Sequence, residues 1–160
     1  MKIAAALTVS AALTACIFIR AQAQQRDPLV NRGRAVVLAM HCNDCHTAGW
    51  RESNGRIPVS LWMTGGGTGY RGAWGTTYPI NVRIWFQEST ESEWLFAVRT
   101  RGGIPPMIWD RIRALPQTDQ RAIYHFIHYL GPAGTPAPAD LPAWRKPSTP
   151  YVTVTSSPLP

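Results

Sequence analysis

The sequence predicts an all-α fold of three to five helices joined by long loops and followed by an extended tail. Three observations carry this. Apolar residues recur at helical spacing in separate segments, and most of these begin at a recognisable start signal. The stretch 47–78 is punctuated by glycine and shows little periodicity. Residues 132–160 contain eight prolines. A chain of 160 residues, 45% hydrophobic and 16% charged, suffices for one domain with tails and is too apolar for wholesale disorder. Its three cysteines, Cys16, Cys42 and Cys45, are too few for a multiply bridged secreted scaffold, and no long repeat marks a solenoid.

The first segment reads as a processing signal. Met1-Lys2 precedes a mostly apolar run from Ile3 to Ile19, closed by Arg20 and by Ala21-Gln22-Ala23. This pattern predicts a signal peptide over 1–23, cut after Ala23, and a periplasmic mature chain. Two alternatives stand beside it: a lipoprotein site at Leu13-Thr14-Ala15-Cys16, and an uncleaved run acting as a tether. Cleavage removes Lys2 and Arg20, so 16 basic side chains become 14 against 9 acidic ones, and the net charge falls from +7 to +5. Cys16 leaves as well. Cys42 and Cys45, separated by two residues, would close only a small, strained disulfide ring.

Cys42-Asn43-Asp44-Cys45-His46 is C-x-x-C-H, the attachment pattern for c-type haem. Two thiols add across two vinyl groups, and the two-residue spacer turns both sulfurs to one porphyrin edge. The next residue, His46, then offers an imidazole nitrogen to the iron. From this composition the pattern arises by chance roughly once in a thousand chains. A thioredoxin-like site would follow a strand, whereas this pair follows a helical pattern. A zinc site needs two more ligands, and His125 and His128 lie about 80 residues away. Gly67-Thr68-Gly69-Tyr70-Arg71-Gly72 fits G-x-G-x-x-G, but Trp74-Gly75 and Pro79 follow where a helix is required, so it reads as a flexible loop.

Asp27-Pro28 starts the first helix, and Val30, Gly33, Val37 and Met40 form its stripe. Gly33 costs about 1 kcal/mol there relative to alanine, which close approach of another helix would offset. The helix leads directly into Cys42. The glycine-rich stretch 47–78 is expected to be loops packed on a large apolar cofactor. Thr90 and Glu93 form a capping box for a short helix to about Val98, with Trp94, Leu95 and Val98 buried. Ile104-Pro105-Pro106-Met107-Ile108-Trp109 reads as a stiff extended segment. Thr118-Asp119 opens a last helix with Ile123, Phe126, Ile127 and Leu130 on one face, ended by Gly131-Pro132. The domain thus spans 24–131 and the Pro-rich tail 132–160. Within the tail, the alternation of Tyr151 to Thr155 leaves open whether it lies along the domain surface.

These elements, in this order, resemble the class I c-type cytochromes over roughly residues 26–131. They look most like single-haem bacterial cytochromes related to the haem domains of membrane dehydrogenase complexes, which share a Pro-x-Asn loop (here Pro79-Ile80-Asn81) and a Pro-Met followed by Trp. The resemblance implies a cytochrome c-like fold around one covalent haem, and contact of Gly33 with Ile123 and Phe126. It also implies a methionine as second axial ligand. Met107, 61 residues after His46, is the expected one; Met63 lacks the adjacent prolines, and Met40 sits on the wrong side of the attachment motif. Ile108 stands where relatives often have proline.

The implied function is one-electron transfer, not catalysis, with Cys42, Cys45, His46 and Met107 binding the haem and His46 and Met107 the iron. Expected partners are redox proteins with acidic docking faces, among them a membrane dehydrogenase or oxidase. The arginines are too dispersed for a nucleic-acid stripe. Trp62, Trp74 and Trp109 are candidates for the haem wall, and Arg71, Arg83 and Arg101 for pairing with its propionates. The alternative is a haem enzyme or gas sensor with an open axial position.

Overall fold

Asp27 and Pro28 open the first helix, α1 (Pro28–Ala39). The Asp27 side chain accepts a hydrogen bond from the Leu29 N–H at 2.8 Å, and Pro28 needs no partner for an N–H it lacks. The computed structural model describes residues 27–103, 106, 107 and 109–155. The signal peptide read over 1–23, with Cys16, lies outside the described residues, as do Ile104, Pro105 and Ile108.

The chain continues through α2 (Asn43–His46), a 3-10 turn at Val59–Leu61, β1 (Gly69–Gly72) and β2 (Gly75–Thr77). Then follow α3 (Val82–Glu88), α4 (Glu91–Thr100), α5 (Trp109–Arg113), α6 (Gln117–Leu130) and β3 (Tyr151–Thr153). The centre of the fold is the crossing of α1 and α6. Val30, Val36 and Val37 of α1 are buried with Ala122, Ile123, Phe126 and Ile127 of α6. Gly33 sits at the closest approach. A Cβ there would lie 1.9 Å from the Ala122 carbonyl oxygen and 2.6 Å from the Phe126 Cβ. The nearest atoms are therefore those of Ala122 and Phe126, with Ile123 buried alongside.

A second tie joins the same helices at their polar edge. Arg32 donates through Nε and a terminal nitrogen to the two Asp119 carboxylate oxygens, at 2.7 and 2.8 Å. The hydrogen bond from Arg32 holds the Asp119 carboxyl below its ordinary 3.8; burial opposes this and the arginine's charge adds to it. The folded state thus favours the ionised form. The stability it contributes is complete above the ordinary carboxylate value and is lost as pH falls through the lower folded-state value. Asp119→Asn is expected to reduce the loss of thermal midpoint between pH 5 and pH 2 relative to the wild type. Parallel acid profiles would contradict this.

The capping box opens α4 as expected, with Thr90 accepting from the Glu93 N–H and Glu93 accepting from the Thr90 N–H. Three elements depart from the sequence reading. Helix α3 was not expected; Asn81 starts it by accepting from the Ile84 N–H at 3.2 Å. Helix α5 begins directly at Trp109, where an extended segment was read. The stretch 47–78 also holds a hairpin, so the fold has a small sheet beside its helices.

That sheet has the order β2-β1-β3. β1 and β2 pair antiparallel, Tyr70 opposite Thr77, and β3 lies parallel to β1 with Val152 opposite Tyr70. The G-x-G-x-x-G stretch therefore ends as strand β1 and is no flexible loop. The tail lies along the domain: Thr76 and Leu141 exchange backbone hydrogen bonds at 2.8 Å, and the Tyr78 N–H donates to Asp140 at 3.0 Å.

Arg83 is a buried cation, 4% exposed, with no carboxylate among its hydrogen-bond partners. It donates to the carbonyls of Gly131, Ser60 and Leu130. Two of these carbonyls belong to the end of α6, where unpaired oxygens and the helix dipole favour positive charge. Arg83 thus closes α6 and is not available to a propionate.

Candidate functional site

α1 ends at Met40, and His41 takes a left-handed turn (φ 55°) that swings the chain into α2. This delivers Cys42, Cys45 and His46 to one side of a cleft of about 610 Å³. Met107 lines the same cleft. All four sequence-predicted site residues therefore meet in one cavity, although 61 residues separate His46 from Met107. The volume lies within the range of cofactor sites, roughly 300–1,000 Å³.

The His46 ring is held by its backbone surroundings. Its Nδ1 lies 3.0 Å from the Ile80 carbonyl oxygen, which can only accept. The proton is thereby assigned to Nδ1, and Nε2 keeps its lone pair for a metal. Burial lowers the ring's proton affinity below the ordinary 6.5, against a smaller opposing effect of the Ile80 carbonyl. The imidazole is neutral at pH 7, the form that ligates. The loop carrying Ile80 is fixed in turn by Asn81, which donates to the Ala133 and Thr135 carbonyls at 2.7 and 3.2 Å.

Cys42 and Cys45 are free thiols. Burial, aided by the charges of Cys45 and Asp44, pushes the Cys42 thiol up to about 12 against the opposing pull of a backbone hydrogen bond. A thiol so held is protonated at neutral pH. Cys45 accepts a hydrogen bond from the Tyr70 hydroxyl at 3.2 Å. Among the described residues no group of three or more His, Cys, Asp or Glu side chains is placed to hold a metal. His125 instead contacts Glu91 at 2.8 Å, and Glu91 also accepts from Arg121.

The residues present fit a haem: two thiols, a neutral imidazole with a free nitrogen, and a thioether share one cleft walled by Tyr70, Tyr78, Pro79, Trp109 and Ile112. Several expectations for that wall are corrected. Of the three tryptophans proposed, Trp109 lines the cleft. Trp62 is buried in the core, edge-on to Trp50 and Phe126 at 5.1 and 6.2 Å, and Trp74 packs against Gly72 at the hairpin turn. Met40 does line the cleft, contrary to its expected placement. Met63 is buried in the core, pinned by its own backbone: its N–H donates to Thr47 and its carbonyl accepts from Val82 and Arg83.

Of the arginines proposed for propionates, Arg101 lines the cleft and stacks over Trp85 and Trp109, at 5.0 and 5.8 Å from the ring centroids. Arg71 donates to the carbonyls of Ala143 and Arg145, each at 2.9 Å. Arg51 and Arg111, not singled out in the sequence, also line the cleft, as does Asp140 from the tail. Nothing in an isolated arginine's neighbours marks it for a cavity, whereas the Pro79-Ile80-Asn81 stretch carried a usable signal. No family model, curated protein or solved structure matches the chain.

Proposed function

We propose that the protein is a single-haem c-type cytochrome of the class I kind, exported, carrying one electron at a time between redox partners. The observation that supports this most is the meeting of Cys42, Cys45, His46 and Met107 on one cleft, with the His46 Nδ1 committed to the Ile80 carbonyl. Cys42 and Cys45 would hold the porphyrin covalently. His46 Nε2 and the Met107 sulfur would hold the iron. The bound haem supplies one reversible electron per chain. Around it, Tyr78, Ile112 and Trp109 exclude water, and the thioether and apolar wall favour the reduced state. Arg101 and Arg111 place positive charge at the cleft, where it would compensate propionates, while Arg51 pairs with Asp44 at 3.3 Å.

The exported protein is expected to be reduced by ascorbate and reoxidised by ferricyanide with one electron per chain, and with no loss of absorbance over repeated cycles. Bleaching on reoxidation, or a stoichiometry other than one, would contradict a closed electron-transfer site.

A further inference from the structure

After α6 the chain returns to the sheet and throws one turn outward. Leu141 is bound to Thr76 through both backbone groups, and the Arg145 N–H closes the turn on the Pro142 carbonyl at 3.0 Å. The Arg71 guanidinium grips the turn from beneath through the Ala143 and Arg145 carbonyls. Gly75 (φ +115°) permits the approach, since a Cβ there would lie 2.1 Å from the Leu141 carbonyl oxygen. Pro147 is buried at the exit. The turn is held on both flanks, and what it holds in water is Trp144-Arg145-Lys146.

Trp144 is 83% exposed, more than any other large apolar side chain among the described residues. Folding ordinarily buries most of an indole, so a braced turn that presents one to solvent points to an apolar phase outside the molecule. The charge pattern is one-sided. The strands beneath the turn, 69–77, and the segment 141–155 contain no Asp or Glu. The nearest carboxylate in sequence, Asp140, accepts from the Tyr78 N–H and lines the cleft. Arg145 and Lys146 are exposed, and neither pairs with a carboxylate among the described residues.

We infer that the Trp144-Arg145-Lys146 turn is a docking site for an anionic phospholipid surface. An indole settles at the headgroup boundary, and arginine and lysine beside it meet lipid phosphates. A protein partner fits less well. Lysine is depleted in the buried centre of protein interfaces, and aromatic anchors there sit within a packed patch, whereas Trp144 projects. The inference is independent of the electron-transfer reading. Taken with it, docking would set the Asp140 side of the cleft beside the membrane face.

The test is co-sedimentation of the exported protein with phosphatidylglycerol vesicles and, separately, with phosphatidylcholine vesicles, at low ionic strength. Binding is expected to the first and to be much weaker to the second. Arg145→Gln and Lys146→Gln should each weaken it roughly fivefold, and Trp144→Ala should weaken it while Trp144→Phe retains part. All variants should keep the wild-type circular dichroism, since the turn is held by backbone groups. Equal retention of wild type and variants would overturn the inference. So would binding no stronger to phosphatidylglycerol than to phosphatidylcholine, which leaves the turn to an acidic protein face.

Discussion

Gly33→Ala is expected to destabilise the protein by about 3 kcal/mol, read as a lowered urea midpoint at unchanged slope. Judged on helix propensity alone the substitution should stabilise, by about 1 kcal/mol. The sign is reversed by the partner helix. The new Cβ would meet the Ala122 carbonyl oxygen at 1.9 Å, and that atom is backbone, with no rotamer to yield. Relief requires α1 and α6 to separate, which loosens Val30, Val37, Ile123 and Phe126 together. Gly67→Ala provides the control, because a Cβ at Gly67 meets nothing within 4 Å. It should change stability by no more than about 0.5 kcal/mol. Equal effects at the two glycines would refute the helix crossing as the origin of the Gly33 requirement.

The second large effect is expected at Met107. With the iron held by His46 and Met107 as proposed, carbon monoxide should leave the spectrum of the reduced wild-type protein unchanged. Met107→Ala removes the thioether and should give prompt, strong carbon monoxide binding, with the haem still attached through Cys42 and Cys45. Met63→Leu should not do this, since Met63 lies in the core away from the cleft. Met40→Leu is the sharper comparison, because Met40 lines the cleft. If Met40→Leu, and not Met107→Ala, opened the iron, the axial assignment would move to Met40. Prompt binding by the wild type would favour a haem enzyme or gas sensor.

How far the sequence could be read follows from the range of the interactions involved. Asp27-Pro28 and the Thr90–Glu93 box act within four residues, so their helices were legible. Cys42 to His46 is local as well, and its spacing carries its chemistry. Helix α3 was missed because its seven residues include β-branched Val82 and Ile84 and offer too few turns for a stripe. The sheet was missed for a different reason: β1 is completed by Tyr151–Thr153, about 80 residues downstream, and nothing in Gly69-Tyr70-Arg71-Gly72 names that partner. The partners of Arg83, and all but the Thr76 hydroxyl among those of Arg71, are backbone carbonyls, which every residue possesses, so sequence could not separate them from arginines facing a cofactor. The Ile80 carbonyl that orients His46 was hidden in the same way, although its loop was visible.

The most direct test of the account is the intact mass of the protein purified after expression of the full sequence, measured under denaturing conditions. The account predicts a polypeptide beginning at Gln24 and heavier by the mass of one haem, with that increment lost when Cys42 and Cys45 are both replaced by alanine. A mass equal to the polypeptide alone, with Cys42 and Cys45 as free thiols or as a disulfide, would contradict it.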